Sequence, residues 1–401
     1  MAIIGIIKEG KIPVDHRVPF TPAQVAQIKK QYPDVGVKCQ SSALRCFSDD
    51  DYMRSGTEIV DHMRDCDILF GVKEVPLDEL IPGKTYFFFS HTLKAQPYNR
   101  KLLQEILKKK ITIIDYEALI DEHNNRVVAF GRYAGIVGAY NALWTFGKRY
   151  NLFHIRRAHE CFDFEDMKTE FAKVKLPPIK IALTGGGRVA KGALEVLYGL
   201  GLRKVSAKDF LKKEFKQPIF SQLNSRDIYR RADREPFERR EFFSDPALYE
   251  SRFLPFARRA DVLIAGAYWD PRAPKLFTRE DMLKRKFHIK VIADITCDIN
   301  GSIPSTKRAC TIADPIYDYC PSDDSIEPPL SDEGQVTVMA IDNLPCELPR
   351  DASNDFGRDL INKVLPHLLG AGNHQMIENA TIASNGSLTK KFDYLSSYVK
   401  G

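Results

Sequence analysis

At 401 residues the chain exceeds what one hydrophobic core usually supports, which predicts two domains. Hydrophobic residues at 44% and charged ones at 28% describe an ordinary globular protein and argue against a disordered chain. The net charge of +6 is scattered, with no dense Lys/Arg stripe, so nucleic acid is not an expected partner.

Short β-branched runs alternate with helical patterns, the signature of a parallel sheet covered on both faces. Ile3–Ile7 reads as the first strand. Thr21 and Pro22 then supply an N-cap and a first helical position for a helix through Gln31. Val35–Cys39, Ile68–Val72 and Tyr86–Phe89 read as the next strands. Pro97 opens a helix to about Lys109, and Ile111–Ile114 follows as a strand. Gly131–Tyr150 reads as a long helix leaving this domain. The apolar stretch Val127–Gly147 that overlaps it is interrupted by Arg132 and rich in Gly and Ala. It therefore predicts a buried or domain-linking helix rather than a membrane span.

A polar stretch, Asn151–Pro178, ends in a rigid Pro177-Pro178 break. A second α/β unit begins at Ile179, with strands at Lys180–Thr184, Lys204–Ala207, Val262–Ala265 and Val291–Ala293. Val336–Ala340 is expected to close that sheet, and Lys208–Pro255 reads as a charged surface excursion. From Ala352 a helix runs to about Leu369, and a weaker helical tail is expected to return to the first domain. The expected fold is α/β: two Rossmann-like, doubly wound parallel-sheet domains with a cleft between them. Residues 1–133 with about 346–401 form the substrate and catalytic domain, and 134–345 the dinucleotide-binding domain.

The eight cysteines contain no C-x-x-C pair and no ligand-like His spacing, so no metal site is expected. With no export signal at the N-terminus, reduced thiols and a cytoplasmic location are the expectation.

The sharpest local motif runs from Lys180 to Ala193. A strand enters a tight turn at Gly185, Gly187 allows a pyrophosphate to approach the backbone, and Ala190 permits tight helix–sheet packing. The helix that follows turns its amides and positive dipole end toward the phosphates. The strand before and the amphipathic helix after are the context such a glycine motif requires. Asp209 lies slightly beyond the position of a ribose-binding acid, with Arg203, Lys204 and Lys208 nearby, so NAD and NADP both remain open.

In the first domain, charge gathers where the chain leaves the sheet. Arg17 follows the first strand, Lys73-Glu74 the third, His91 and Lys94 the fourth, and Glu117 and Arg126 the fifth. Ligands of parallel sheets collect at the carboxyl ends of strands. Oxidising a secondary amine needs a base, and hydrolysing the resulting imine needs a second acid/base group. A histidine and a lysine of lowered pKa suit those tasks, and arginines suit carboxylates.

At these residues the sequence resembles the saccharopine dehydrogenase family, most of all its lysine–ketoglutarate reductase branch. The resemblance runs through Phe70-Gly71-Val72-Lys73-Glu74-Val75-Pro76, Phe89-Ser90-His91-Thr92-Leu93-Lys94-Ala95-Gln96 and Arg126–Gly135. It continues through Thr184–Ala193, Gly266-Ala267-Tyr268-Trp269, Ala293–Asp298 and Ile341-Asp342-Asn343-Leu344-Pro345. The wider group includes alanine dehydrogenase and the nucleotide-binding part of transhydrogenase. The resemblance implies the reversible reaction of lysine, 2-oxoglutarate and reduced NAD or NADP to saccharopine. It implies Lys73 as base for the substrate amine and His91 as acid/base for imine hydration. Arg17, Lys94 and Arg126 would hold carboxylates, with Glu74 and Glu117 tuning charge. Gly185, Gly187, Arg188, Val189 and Ala190 would hold the pyrophosphate, and Asp209 is the candidate ribose ligand. Asp294, Thr296, Ile341, Asp342, Asn343 and Leu344 would line the nicotinamide side.

The reductase branch is often fused to a second dehydrogenase. This chain stops where that half would begin, so one reaction step is expected. The alternatives are an amino-acid or opine-type dehydrogenase with another amine, and a nucleotide sensor on the same fold without turnover. The intact Lys73 and His91 argue against the sensor.

Overall fold

Ile, Val, Tyr and Phe fit a pleated, buried surface, and near-continuous runs of them form central strands covered on both faces. In the computed structural model, which describes residues 2–370 and 373–401, these runs build two sheets in two compact units. The units are Met1–Phe130 with Pro349–Gly401, and Gly131–Leu348.

The first unit contains β1 (Ile3–Ile6), β2 (Gly36–Gln40), β3 (Glu58–Val60), β4 (Ile68–Phe70), β5 (Thr85–Phe88) and β6 (Thr112–Asp115). They pair in parallel in the order β3-β2-β1-β4-β5-β6. The chain returns at Pro349, and Thr381–Ser384 extends the sheet antiparallel to β6. Strand order reverses between β1 and β4, the place where open α/β sheets bind ligands. Thr21 caps the helix Pro22–Gln31 in a full capping box with Gln24. Two elements were not evident from pattern: β3 and the helix Asp49–Arg54. Both are too short to show a period. The helix expected from Ala352 starts at Pro349, breaks at Val364 and resumes over Leu365–Leu369. Of the helical tail expected beyond it, residues 371 and 372 lie outside the described ones, and the rest includes the Thr381–Ser384 strand.

The second unit contains β7 (Lys180–Thr184), β8 (Arg203–Lys204), β9 (Ile219–Leu223), the hairpin pair β10 (Tyr229–Arg231) and β11 (Tyr249–Ser251), and β12 (Val262–Ala265). It continues with β13 (Val291–Asp294), β14 (Ile316–Cys320), β15 (Ser325–Glu327) and β16 (Val336–Met339). The main sheet runs β8-β9-β7-β12-β13-β16-β14-β15, and its order reverses between β7 and β12.

Three expectations are corrected here. The strand expected at Lys204–Ala207 is only the two-residue edge strand β8, because Ser206 caps a helix starting at Ala207. The strand beside β7 is instead β9, inside the segment read as a surface excursion. Its Ile219, Phe220 and Leu223 are buried, but one short strand among many charges is hidden from a periodicity reading. Finally, β16 does not close the sheet, since β14 and β15 lie beyond it in antiparallel pairing.

The Gly/Ala-rich helix Gly131–Arg149 is buried through most of its length and packs on the helix Arg188–Gly199. A Cβ on Gly135 would overlap the Val189 carbonyl, and one on Gly192 the Arg132 carbonyl. The small residues thus permit contact between the two helix backbones. Arg132 adds a two-pronged ion pair to Glu195, with both contacts at 2.6 Å. Among the described residues no helix is long and apolar enough to cross a membrane. Overpacking of this kind costs about 1–3 kcal/mol. Gly135→Ala and Gly192→Ala should each lower the thermal unfolding temperature of the full chain by several degrees. An unchanged temperature in both would contradict the close packing.

Candidate active site

In the first unit, the loops leaving β1, β4, β5 and β6 are tied together by carboxylates. The turn of chain after β1 carries Glu9, whose two oxygens accept from the amides of Val72 at 2.6 Å and Lys73 at 2.8 Å. That clamp fixes the backbone of Lys73 as it leaves β4. Asp115, at the end of β6, accepts from the Ser90 amide at 2.9 Å, the Ser90 hydroxyl and the Glu117 amide at 2.6 Å. It holds the loop after β5 to its own. The Tyr116 hydroxyl donates to the Gly71 carbonyl at 2.9 Å, joining the same loop to the end of β4.

Glu74 is where several side chains from different loops meet. Its carboxylate accepts from Lys11 Nζ at 3.0 and 2.8 Å, and Oε1 lies 2.7 Å from His91 Nδ1. Asn99 Nδ2 donates to the same oxygen at 3.4 Å and to the Ser90 carbonyl at 2.9 Å. A carboxylate only accepts, so Nδ1 carries the proton in that contact, and in the neutral ring the lone pair is on Nε2. Burial works against the Glu74 charge, but the bonds from His91 and Lys11 outweigh it and hold the carboxyl at about 2. His91 itself adopts a left-handed backbone, φ 52°, a conformation that persists where surrounding contacts over-determine it.

Lys73 sits beside a second charged group. Burial, then the positive charge of Arg17, lowers its pKa; Lys11 adds to that, while Asp15 and Glu74 oppose it. Arg17, expected to hold a substrate carboxylate, holds Asp15 in this structure, with Nε–Oδ1 at 2.9 Å and Nη2–Oδ2 at 2.5 Å. Its guanidinium lies 4.1 Å over the Phe130 ring and is only 3% exposed. Burial opposes the Asp15 charge, but Arg17 outweighs it and keeps the carboxyl well below the usual range. Burial and the Asp15 charge push Glu9 the other way, up to about 8. Glu117 and Arg126 face each other at 3.4 Å, and Lys94 is exposed on the loop beyond His91. Glu9, Lys11, Asp15, Asn99 and Asp115 were not singled out in the sequence. Lys11 and Asp15 flank the same post-β1 loop as Arg17, and that proximity was the available signal.

In the second unit, the loop after β7 fits a dinucleotide diphosphate. Gly185 has φ 104°, and a Cβ there would press on the Gly266 carbonyl at 3.0 Å, so only glycine suits it. Gly187 is the N-cap of the helix Arg188–Gly199 and offers no side-chain cap, and a Cβ built on it meets nothing within 4 Å. The helix end is therefore open at the amides that would receive phosphate oxygens. Arg188 is exposed there, Val189 half-buried, and Ala190 buried against the sheet.

Asp294, at the end of β13, is 1% exposed and takes up contacts within its own loop. It accepts from Thr296 Oγ1 at 2.6 Å and Thr306 Oγ1 at 2.6 Å. It thus shapes the loop that presents Thr296. Ile341 and Leu344 are buried, whereas Asp342 is exposed and Asn343 half-buried. Glu347 fastens this segment through Asn141 at 2.8 Å and Arg157 at 2.9 Å. Asp209 does not lie at the end of the strand beside β7. It sits in the first turn of the helix Ala207–Lys212 and pairs with Lys213 at 2.9 Å. The end of β9 carries Asn224, Ser225 and Arg226 instead, unnoticed in the sequence because β9 was. Among the described residues no group of three or more His, Cys, Asp or Glu side chains could hold a metal ion.

Comparison with known proteins shows the family and the fold. Residues 5–137 match the alanine dehydrogenase/PNT N-terminal domain, and 158–394 the alanine dehydrogenase/PNT C-terminal domain. The chain belongs to the alanine dehydrogenase/PNT family. This is a family of pyridine-nucleotide-binding dehydrogenases. A mouse protein named alpha-aminoadipic semialdehyde synthase, mitochondrial, is 31% identical over 98% of this chain and 47% of its own length. The chain thus spans about half the length of that relative. A Neurospora crassa saccharopine dehydrogenase [NAD(+), L-lysine-forming] is 24% identical over 88% of each chain. The solved structure of an L-alanine dehydrogenase shares the fold, with a TM-score of 0.68 at 17% identity, covering 99% of both chains.

Two predictions follow from these sites. Glu74 titrates at about 2 when folded, below its ordinary 4.5, so its stabilisation is full above 4.5 and is lost as pH falls toward 2. Glu74→Gln should lower the urea midpoint at neutral pH and flatten its fall across that acid window; parallel curves for both proteins would refute the assignment. Gly187→Ala should leave the unfolding temperature almost unchanged while weakening dinucleotide binding severalfold by calorimetric titration. Wild-type affinity in that variant would remove the loop from the cofactor site.

Proposed function

We propose that this protein interconverts saccharopine with L-lysine and 2-oxoglutarate, using a nicotinamide dinucleotide. The observation that carries this reading is the contact between His91 Nδ1 and Glu74 beside a lysine whose pKa is lowered by burial and Arg17. When bound, the dinucleotide accepts or supplies the hydride. In the oxidative direction Lys73 takes the proton of the secondary amine, which a lysine of depressed pKa does in its neutral form. His91 then takes a proton, through Nε2, from the water that adds to the imine carbon, and later returns it to the departing amine. Glu74 keeps the imidazole in that tautomer and balances the charge it gains. Lys94 and Arg126 meet the carboxylates of a substrate that carries several, with Glu117 orienting Arg126. Arg17, committed to Asp15, acts on Lys73 through its charge.

The end of β9 supports NADP(H) as the form used. An acid at the end of the strand beside β7 would favour NAD. The acid there, Asp227, accepts from the Asn224 amide at 2.8 Å in a capping box, and Arg226 is exposed next to it. A guanidinium at this position suits the extra ribose phosphate.

The test is spectrophotometric, following reduced-cofactor oxidation with 2-oxoglutarate and a panel of amines, with NADH and NADPH in parallel. Turnover is expected with lysine, faster with NADPH. Lys73→Met and His91→Leu should each retain dinucleotide binding and lose about a hundredfold or more in turnover. Turnover with another amine alone would replace lysine in this reading, and wild-type rates in either variant would remove its acid/base role.

A further inference from the structure

The loop between Ser90 and Asn99 carries His91 and Lys94, and its two halves are held differently. Its base is pinned inside the fold. Ser90 is bonded to Asp115, Thr92 is fully buried, and Asn99 donates back to the Ser90 carbonyl at 2.9 Å. Its tip, from Lys94 to Tyr98, is exposed, and Ala95 is forced into a left-handed backbone, φ 51°, by the turn whose amide bonds the Thr92 carbonyl at 2.9 Å. A non-glycine residue there needs outside contacts to hold it.

Those contacts come from the far end of the chain. The Tyr394 hydroxyl donates to the Leu93 carbonyl at 3.0 Å, and the Tyr398 hydroxyl to the Gln96 carbonyl at 2.5 Å. The two carbonyls bracket Lys94. The segment that supplies the hydroxyls is itself anchored: Phe392, Leu395 and Tyr398 are buried in the core of the first unit. Gln104 Nε2 donates to the Val399 carbonyl at 2.7 Å, and Arg100 lies 5.4 Å over the Tyr398 ring. Burial, joined at Tyr394 by the charge of Asp115, raises both phenol pKa values, so the hydroxyls remain donors through neutral pH.

We propose that Tyr394 and Tyr398 are positioning residues: as a strap from the C-terminal segment they hold the tip of this loop so that Lys94 meets a substrate carboxylate. The proposal rests on the dehydrogenase reading above for the role of Lys94, and on the hydrogen bonds alone for the strap. Because the strap grips the tip and not the base, it acts on substrate binding and leaves His91 to Glu74.

The test uses the full chain with Tyr394→Phe, Tyr398→Phe and the double variant, which keep both rings, and Lys94→Met for comparison. Hydrogen exchange of amides 93–96 and 98 should speed up in the double variant; unchanged exchange would overturn the strap. In the lysine–2-oxoglutarate assay the double variant should raise the Michaelis constant for 2-oxoglutarate by about three- to tenfold, the loss of one or two hydrogen bonds. Turnover number and its pH profile should stay at wild-type values. Added to Lys94→Met, the double variant should raise that constant little further. A fall in turnover with a displaced pH profile, or a wild-type Michaelis constant, would overturn the positioning role. Faster exchange with a wild-type protein that has no activity toward 2-oxoglutarate would uphold the strap and reject the dehydrogenase reading.

Discussion

Glu74 leaves β4 one residue after Lys73, and its two oxygens are shared among Lys11, His91 and Asn99. Each partner comes from a different place: the loop after β1, the loop after β5, and the start of the helical region beyond it. A half-buried carboxylate with this many donors remains charged at any physiological pH, so it acts as a fixed negative point around which the loops organise. Without it, Lys11 would lose its counter-charge and His91 its tautomer. The left-handed backbone of His91 would also lose one of the contacts that hold it.

The second charge system bears on the lowered pKa of Lys73. Asp15 and Arg17 are both buried and neutralise each other, but Lys73 feels the two unequally, and the guanidinium has the larger effect on it. Glu9 completes the balance. Its carboxyl sits under the Lys73 amide, and burial with the Asp15 charge pushes its pKa up to about 8, which disfavours a further negative charge beside that lysine. The lowered basicity of Lys73 thus depends on which neighbouring carboxyls are ionised as well as on burial.

Much of this was legible in the amino-acid sequence, because parallel strands are written in uninterrupted β-branched runs and the residues following them are few. The positions of Lys73, Glu74 and His91 at strand ends came from that rule, and β1, β4, β5, β6, β7, β12 and β13 are close to where their runs predict. The glycine motif was visible because Gly185 has a backbone requirement that no other residue meets well, with Gly187 at the fixed spacing after it. What stayed hidden has a common cause. β9 is five residues within a long charged segment, and its neighbours in space are distant in sequence. The same holds for the Thr381–Ser384 strand, paired to β6 across hundreds of residues, and for Lys11 and Asn99, whose role exists only once Glu74 lies between them. Arg17 was visible as a charge after a strand, but its commitment to Asp15 was not.

Both sheets reverse strand order at an interior position, between β1 and β4 in one and between β7 and β12 in the other, and each carries its candidate site there. The backbone rule is the same, and the side chains differ completely. At the first reversal the loops bring lysines, carboxylates and an imidazole; at the second they bring glycines and an open helix end. One composition suits proton transfer and carboxylates, the other suits a diphosphate that must touch backbone. The shared fold with an alanine dehydrogenase therefore accounts for where sites form and says nothing about the substrate. In the proposed reaction that choice falls to the loops after β5 and β6, where Lys94 and Arg126 stand. These are also the loops tied to the rest of the first unit by Asp115 and, at the tip, by hydroxyls from the end of the chain. On the proposed reading, substrate choice would depend as much on how firmly those loops are held as on which charges they bear.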